Sequence, residues 1–261
     1  MLAVLTSSDF DRVHAAFIEA FSDYVVKFEP ARDQLREMLT RRGYVPELSI
    51  GAFDDDRLVA FTLNGVSDAL AYDTGTGVIP SHRRHGLGKQ MLDFARVRLR
   101  ETGYTEYILE VIESNTAALE LYLAGGFHET RRLQCWSYEP QREATMSEIH
   151  LDEMPEWWDI QPSWQNSMAS IRRAQDRHVT IGDEDGYAIV FPNTGDLPRL
   201  AVRPEARRKG LGSRLLDAAA TIAGKPLRIM NVDLADNGFD TFLIRSGAKR
   251  TVRQIEMALT L

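Results

Sequence analysis

The chain repeats one segment at a separation of about half its length. Residues 77–93 read GVIPSHRRHGLGKQMLD and residues 201–217 read AVRPEARRKGLGSRLLD, and nine of these 17 positions are identical. The two segments lie 124 residues apart in a chain of 261 residues. This separation is far longer than the ~20–50 residues of a solenoid repeat. The sequence therefore predicts a duplicated domain, and a fold assigned to one half has to suit the other half as well.

Helix and strand patterns occur in a similar order in both halves. In the first half, the patterns predict helices over residues 9–21 and 31–42, a hairpin formed by LSIGAF and RLVAFTLNG, and a strand over 70–79. A helix over 87–100, the strand TEYILEVI, a helix over 115–123 and a strand over 127–138 follow. In the second half we expect a helix near 162–174, helices over 211–223 and 238–245, and the strands HVTIG, YAIVF, LPRLAV, PLRIMNV and RTVRQIEMAL.

This order of elements predicts an α/β (α+β) fold of two tandem domains, each with a mixed central sheet flanked by helices. The segment before residue 150 is polar and contains a proline, which is typical of a connection between domains. We therefore expect a first domain over residues 1–140, a linker over 141–150 and a second domain over 151–261.

The repeated segment has the pattern of an anion-binding turn. Each copy places Arg-x-x-Gly-x-Gly between a predicted strand and a predicted helix, at residues 83–88 and 207–212. The first helical turn leaves backbone N–H groups without intrahelical partners, and glycine lets a phosphate approach the main chain. The Rossmann pattern G-x-G-x-x-G is not matched, because Met91 and Leu215 occupy its third glycine position. The alternative is a tight strand–helix turn with a solvated basic face.

Charge and cysteine content exclude several classes of protein and site. The net charge of −7 and the short basic clusters disfavour nucleic acid and anionic membranes as partners. No segment approaches the ~18 apolar residues of a membrane span, and the N-terminus does not resemble a signal peptide. The single cysteine, Cys135, excludes a disulfide framework, and we expect it in the core. We expect a cytoplasmic protein, a monomer or a homodimer, without a metal site.

A second motif follows the first glycine loop. It reads Leu109-Glu110-Val111, then Asn115-x-x-Ala118-x-x-Leu121-Tyr122, then Gly126-Phe127. Together with Val78-x-Pro80-x-x-Arg83-x-x-Gly86-x-Gly88, this motif resembles the acetyl-CoA-binding region of the GNAT N-acetyltransferases. The resemblance covers the 50 residues from 78 to 127, and the rest of each half fits the fold by the order of its elements. The whole chain therefore resembles a tandem, two-domain GNAT protein.

The resemblance implies that acetyl-CoA is the cofactor and that coenzyme A is a product. In GNAT domains the strand before the loop separates from the next strand, and the pantetheine arm of the cofactor enters the gap. The loop amides bind the pyrophosphate, and an asparagine in the second motif binds the pantetheine arm. The implied cofactor-binding residues are Gly77, Val78, Ile79, Arg83, Arg84, His85, Gly86, Leu87, Gly88, Lys89, Asn115 and Tyr122.

The implied reaction is the attack of an amine on the thioester of acetyl-CoA. Tyr122 is the candidate acid that protonates the leaving thiolate. Its other interpretation is a core aromatic residue on an amphipathic helix. Glu110 and Asp73 are the two candidates for the general base, and either of them is equally compatible with an ordinary surface carboxylate.

The resemblance also points to an acceptor site between the first two predicted helices. Asp23, Tyr24 and Glu29 lie in that connection, and their charge would favour a cationic amine. We expect an N-acetyltransferase that acts on a primary amine of a small molecule or a peptide. The alternative is a protein that binds or senses acyl-CoA without turnover.

The second half keeps the glycine loop and departs from the second motif. Its possible cofactor site comprises Val202, Arg207, Arg208, Lys209, Gly210, Leu211, Gly212 and Ser213. Aligning Gly247 with Gly126 puts Leu243 opposite Tyr122 and Asp236 opposite Asn115. We therefore expect catalysis in the first half. The degenerate second half either binds a CoA-like anion without the acid or completes the acceptor pocket as a structural partner.

Overall fold

The computed structural model describes residues 1–24, 28–150 and 155–261. The strands are β1 (Leu2–Val4), β2 (Ile50–Asp54), β3 (Arg57–Ser67), β4 (Leu70–Val78), β5 (Glu106–Ile112), β6 (His128–Tyr138), β7 (Val179–Asp183), β8 (Gly186–Phe191), β9 (Asp196–Val202), β10 (Leu227–Asp233) and β11 (Lys249–Thr260). The helices are α1 (Phe10–Ala20), α2 (Arg32–Arg41), α3 (Leu87–Glu101), α4 (Thr116–Ala124), α5 (Met168–Arg173), α6 (Leu211–Ala223) and α7 (Asn237–Arg245).

The chain divides into two compact units. Unit 1 comprises Met1–Thr130, Arg172–Ala174 and Ile255–Leu261, and unit 2 comprises Arg131–Ile171 and Gln175–Gln254. Most of β6 therefore belongs to unit 2, and the end of β11 belongs to unit 1. Each unit contains residues from both halves of the sequence, so the units do not correspond to simple ranges. The domain bounds 1–140 and 151–261 remain a prediction.

Unit 1 has a mixed sheet with the strand order β1-β2-β3-β4-β5. Neighbours from β1 to β4 are antiparallel, and β4 and β5 are parallel. Helix α1 buries Phe10, Val13 and Phe17, as the sequence predicts, and Phe17 stacks on Phe61 of β3 with 5.8 Å between ring centroids. The helical face is apolar at a spacing of three to four residues, so it packs on the flat face of the sheet.

Unit 2 has the strand order β6-β10-β9-β8-β7, in which β9 and β10 are parallel, as β4 and β5 are, and the other neighbours are antiparallel. Helix α6 covers the residues that the sequence predicts, and it buries Leu215, Leu216 and three consecutive alanines against the sheet. The expected helix near 162–174 is wrong in its extent. The described segment is a 3-10 turn at Trp164–Asn166 followed by α5, because Ser167 between them has extended backbone angles (φ −66°, ψ 152°). The expected linker is bound to unit 2, where the Ile149 N–H donates to the Thr180 carbonyl at 2.9 Å.

A buried polar pair fixes the interior of unit 1. The Tyr107 hydroxyl donates to Asn64 Oδ1 at 2.5 Å, and Asn64 Nδ2 donates to the Leu48 carbonyl at 2.7 Å. Both side chains are fully buried. Replacing Tyr107 by Phe is expected to lower the free energy of unfolding by about 1–3 kcal/mol, because Asn64 Oδ1 loses this donor out of reach of water. Urea denaturation measures the change, and an unchanged midpoint would contradict this role.

Candidate functional site

A gap opens in the sheet of unit 1 between β4 and β5. Their parallel register runs from Leu70 opposite Glu106 to Asp73 opposite Leu109, although β4 continues to Val78 and β5 to Ile112. On the other side of β4, a β-bulge shifts the register with β3 at the same level. A bulge bends the strand that carries it. The structure therefore has the separation of strands that the resemblance implies.

The glycine loop follows β4 and leads into α3. A 3-10 turn at Pro80–His82 precedes Arg84 and Gly86, whose φ angles are +65° and +76°. Left-handed residues in such a turn direct successive N–H groups into a concave, anion-binding surface. The first bond of the α3 ladder runs from the Gln90 N–H to the Gly86 carbonyl at 3.1 Å. The amides of residues 87–89 precede that bond and lie in the positive end of the helix dipole.

The corresponding loop of unit 2 has the same backbone. Arg208 and Gly210 have φ angles of +64° and +90°, and the Arg214 N–H donates to the Gly210 carbonyl at 3.1 Å. A Cβ at Gly86 would meet its nearest atom, Gln90 Nε2, at 3.6 Å, and one at Gly210 would meet nothing within 4 Å. Gly210 thus faces open space and Gly86 touches only a side chain, which agrees with an anion approaching the main chain.

The second glycine of each loop also lies close to a neighbouring helix. A Cβ on Gly88 would lie 3.0 Å from Leu121 Cδ2, and a Cβ on Gly212 would lie 3.3 Å from Phe242 Cε2. Both neighbours belong to the helix that follows the gap. These glycines therefore allow two helices to approach each other, and only the first glycine faces open space.

The repeated arginine ties the loop to the rest of its unit. Arg83 donates to both carboxylate oxygens of Asp23 at 2.6 and 2.7 Å, to the Val78 carbonyl at 3.1 Å and to the Ala20 carbonyl at 3.0 Å. Arg207 does the same in unit 2, with Asp159 at 2.8 Å and the carbonyls of Val202 and Trp157. Among the candidates of the sequence, Arg83 and Asp23 thus neutralise each other and position the loop.

The other charged loop residues lie at the surface. Arg84, His85 and Lys89 are exposed, and Lys89 Nζ donates to Asp93 Oδ2 at 2.7 Å. Leu87 is half-buried at the start of α3, while Gly77 and Ile79 are buried along the end of β4. The described residues include no group of three or more His, Cys, Asp and Glu side chains suited to a metal ion. Cys135 is buried, as expected.

Two of the predicted catalytic residues meet at the gap. The Tyr122 hydroxyl donates to Asp73 Oδ2 at 3.2 Å, although the two residues are 49 positions apart. Asp73 also accepts from Thr76 Oγ1 at 2.7 Å and from the Gly75 N–H at 2.9 Å. Both side chains are buried, with 4% and 7% of their surface exposed. Asp73 lies where β4 and β5 separate, so the pair lines the inner end of the gap.

Burial dominates the ionisation of this pair. It raises the pKa of Asp73 to about 6, against the lowering effect of hydrogen bonds from Thr76, Gly75 and Tyr122. It also raises the pKa of Tyr122 well above its ordinary value, and the nearby Asp73 carboxylate acts in the same direction. Tyr122 is therefore protonated throughout the physiological pH range, and Asp73 changes its charge just below neutrality.

The remaining candidate residues of unit 1 differ in burial and in their hydrogen-bond partners. Glu110 is half-buried on β5, and its Oε2 accepts from the Tyr72 hydroxyl at 2.8 Å. Asn115 caps α4 by accepting from the Ala118 N–H at 3.2 Å, and its Nδ2 donates to the Tyr24 hydroxyl at 3.4 Å. Glu29 is exposed. Tyr24 and Asn115 thus connect the acceptor-side loop with the second motif, which sequence spacing does not reveal.

Unit 2 has a cavity of about 480 Å³ at the equivalent place. Strands β9 and β10 pair in parallel at Asp196 opposite Arg228, and the later residues of both strands line the cavity. Asp236 caps α7 as Asn115 caps α4, by accepting from the Phe239 N–H at 2.9 Å. This match supports the alignment that puts Leu243 opposite Tyr122. Sequence reasoning did not identify Ser163 and Arg199, two of the buried polar residues that line this cavity, because each stands in an otherwise ordinary stretch.

Family models match both halves of the chain. The model of the Acetyltransferase (GNAT) family matches residues 11–127, and that of an Acetyltransferase (GNAT) domain matches residues 173–242. A tandem GNAT protein from the clavulanic acid biosynthesis pathway has a similar fold, with a TM-score of 0.71 and 14% identity. The similarity covers 100% of this chain and 98% of that one.

Curated relatives match shorter stretches. The [ribosomal protein bS18]-alanine N-acetyltransferase of Salmonella typhimurium is 37% identical over 75 residues, which are 29% of this chain and 51% of that protein. An aminoglycoside N(6')-acetyltransferase type 1 of Klebsiella aerogenes is 33% identical over 70 residues, or 27% of this chain and 46% of that protein. The chain thus spans about half the length of these relatives. With GNAT models matched in both halves and a tandem GNAT fold along its whole length, the chain belongs to the GNAT acetyltransferase family as a tandem, two-domain member.

Proposed function

We propose that this protein transfers the acetyl group of acetyl-CoA to a primary amine, and that unit 1 carries out the reaction. The observation that carries the proposal is the hydrogen bond between Tyr122 and Asp73 at the inner end of the gap between β4 and β5. The gap opens next to the glycine loop, so one ligand can contact the loop amides and the tyrosine together. Members of the GNAT family bind acetyl-CoA or coenzyme A, which supports this ligand.

The cofactor is proposed to lie along the end of β4. The amides of residues 84–89 bind the pyrophosphate, helped by the exposed charges of Arg84, His85 and Lys89. Main-chain groups of Gly77, Val78 and Ile79 follow the pantetheine arm, and Asn115 Nδ2 binds its amide. Arg83 acts indirectly, because its contacts with Asp23 and Val78 hold the loop in place. Each hydrogen bond to a charged phosphate oxygen contributes about 1.5–3 kcal/mol.

We propose Glu110 as the general base and Tyr122 as the general acid. Glu110 is half-buried on β5 and takes a proton from the amine, directly or through water. The amine nitrogen bonds to the thioester carbon and the carbon–sulfur bond breaks. The Tyr122 hydroxyl turns from Asp73 and gives its single proton to the thiolate sulfur, and the proton taken up by Glu110 is returned to Tyr122 through solvent after the products leave. Asp73 is the weaker candidate for the base because it is buried and already accepts three hydrogen bonds, so we assign it to positioning Tyr122.

The acceptor is proposed to approach from the side of Tyr24 and Glu29. Asp23 and Glu29 are both exposed in this connection, and Asp23 is paired with Arg83. An exposed carboxylate attracts an ammonium group before the amine loses its proton. The Salmonella and Klebsiella relatives are named for a protein alanine and for an aminoglycoside, so both a peptide and a small molecule are candidate acceptors.

The test is release of free thiol from acetyl-CoA by the full chain over a panel of polyamines, amino acids, aminoglycosides and peptides with N-terminal alanine. We expect at least one amine to raise thiol release above the rate without acceptor, with a matching acetylated product by mass spectrometry. The absence of release with every class of amine, together with tight binding of acetyl-CoA, would favour a protein that binds acyl-CoA without turnover.

Ionisation of Asp73 is expected to shape the pH profile. Ionised Asp73 accepts the hydrogen bond that orients Tyr122, and its pKa of about 6 puts the change just below neutrality. We expect kcat to fall as the pH drops through about 6, because protonation weakens this acceptor. In Asp73→Asn the inflection near pH 6 should disappear and kcat at about pH 8 should be lower. An unchanged inflection in that variant would assign it to another group.

Unit 2 is proposed to bind a CoA-like anion without catalysing acetyl transfer. It keeps the loop backbone and the capped helix after the gap. Leu243 stands opposite Tyr122, so it has no hydroxyl for the leaving thiolate. The alternative that the sequence left open, an acyl-CoA-binding module, is therefore supported for this unit. Arg207 holds the loop in place through its hydrogen bond to Asp159. The candidate ligand contacts of unit 2 remain Val202, Arg207, Arg208, Lys209, Gly210, Leu211, Gly212 and Ser213.

A further inference from the structure

The cavity of unit 2 contains a buried arginine. Arg199 lies on β9 and lines the cavity, and only 6% of its surface is exposed. β9 pairs with β10 at Asp196, and Arg199 comes three residues later, where β9 borders the gap. Its guanidinium therefore lies in the wall of the cavity, well before the glycine loop that begins after Val202.

Among the described residues, the Arg199 guanidinium has few groups that stabilise its positive charge. One face packs on the Trp158 ring at 4.1 Å from the centroid, while Nε is buried and has no hydrogen-bond partner among the described residues. Burial lowers the pKa of Arg199 to about 10, and the nearby Tyr187 and Glu156 act in the opposite direction. The buried Ser163 hydroxyl, which lines the same cavity, also lacks a partner among the described residues.

An unpaired buried charge is unfavourable for folding. A chain that needed only stability would place an apolar side chain in this wall. A guanidinium is planar and can donate from two nitrogens to two carboxylate oxygens. The cation–π contact with Trp158 holds one face of the group, and the side chain lines the cavity.

The two units differ at this place in the sheet. Arg199 pairs with Ile189 of β8 beside a β-bulge, and Gly75 pairs with Leu63 of β3 beside the equivalent bulge in unit 1. Unit 1 thus has a glycine where unit 2 has a cation. In the same alignment, Leu197 stands opposite Asp73. Unit 2 therefore has one positive charge and apolar side chains where unit 1 has the hydrogen-bonded pair of Asp73 and Tyr122.

We propose that the cavity of unit 2 binds a ligand with a carboxylate group, and that Arg199 pairs with that carboxylate. The cavity volume of about 480 Å³ suits a small molecule or one arm of a larger one, and its walls include several aromatic side chains. Two sources present the same chemistry here: a free dicarboxylic acid, and the terminal carboxylate of a dicarboxylic acyl-CoA. The inference does not depend on catalysis in unit 1.

Calorimetric titration of the full chain tests the proposal. The probes are succinate, succinyl-CoA, acetyl-CoA and coenzyme A, and the variants are Arg199→Met, Arg199→Lys and Arg214→Met. Arg214 is an exposed arginine of unit 2, so Arg214→Met is the matched control for loss of one charge. We expect Arg199→Met to weaken the binding of a carboxylate probe by about 10- to 100-fold, because a charged hydrogen-bonded pair is lost.

The pattern over the probes identifies the source. Weaker binding of both succinate and succinyl-CoA points to a free acid that enters alone, and an effect on succinyl-CoA alone points to a CoA-borne acid. Arg199→Lys should be intermediate, since it keeps the charge and loses the planar fork, and Arg214→Met should bind as the wild type does. In the absence of ligand, Arg199→Met should melt at the same temperature as the wild type or higher.

Two results would overturn the proposal. One is equal binding of every carboxylate probe by the wild type, Arg199→Met and Arg199→Lys. The other is a lower melting temperature of Arg199→Met with unchanged binding by Arg199→Lys, which would make Arg199 a packing residue. Because the readout is heat of binding, neither result bears on acetyl transfer by unit 1, and a failed thiol-release assay leaves this binding test intact.

Discussion

Replacing Tyr122 by Phe is expected to lower kcat for acetyl transfer by about 100- to 10,000-fold, the range for loss of a general acid. The KM for acetyl-CoA should change little, because the ring still fills its place in the core and the loop amides are untouched. The Tyr122 hydroxyl is buried at the inner end of the gap, 3.2 Å from Asp73 Oδ2, so solvent is a poor substitute for its proton. Steady-state kinetics over a range of acetyl-CoA concentrations measure both constants.

Tyr104→Phe is the matched control, since Tyr104 is a partly buried tyrosine of the same core cluster. It should retain the wild-type kcat. Thermal melts of both variants separate catalysis from folding. Wild-type turnover by Tyr122→Phe would remove the tyrosine from the chemistry and return it to the alternative of a core aromatic residue.

Replacing Gly86 by Ala is expected to raise the KM for acetyl-CoA by about 10- to 100-fold, as loss of a phosphate hydrogen bond would do. The added methyl group would project into the open space over the loop, where the nearest atom is 3.6 Å away. It would also strain the backbone, because φ at Gly86 is +76°. The effect on affinity should therefore come with a modest loss of stability.

Substitutions at two other glycines separate the effect on KM from the effect on stability. Gly103 has a φ of +94° and open space around its Cβ position, and it lies after α3, at the end opposite the loop. Gly103→Ala should cost about 1–2 kcal/mol of stability, as Gly86→Ala does, and leave KM unchanged. Gly210→Ala makes the same change in the loop of unit 2. A KM that rises with Gly210→Ala and not with Gly86→Ala would move the cofactor site to unit 2.

Local patterns predicted the elements that surround the site. Helix α6 covers the predicted residues 211–223, and β2 and β3 form the predicted hairpin. These elements carry their signals in apolar periodicity and in the glycines and acidic residues of their turns. The helix expected near 162–174 is divided into a 3-10 turn and the short helix α5, since the extended backbone at Ser167 interrupts a pattern that a helical spacing allowed.

The sequence was a poorer guide to the roles of individual side chains. Arg83 and Arg207 carry the same motif position, and the sequence alone suggested a charge beside phosphate. Both turn back to an aspartate of their own unit. The pairing partners are 60 and 48 residues away, so no spacing rule relates them. The packing role of Gly88 was hidden for the same reason, because Leu121 comes close only after two helices pack.

The sequence by itself determined that this chain contains two related domains and that each has a strand, a glycine turn and a helix suited to an anion. Those properties depend on backbone angles and periodicity, which neighbouring residues set. The tertiary structure alone decided that Tyr122 meets Asp73 and that Arg199 lies buried in a cavity without a described partner at Nε. Such properties depend on which distant elements pack together, and packing is what removes water from a charge and changes its chemistry.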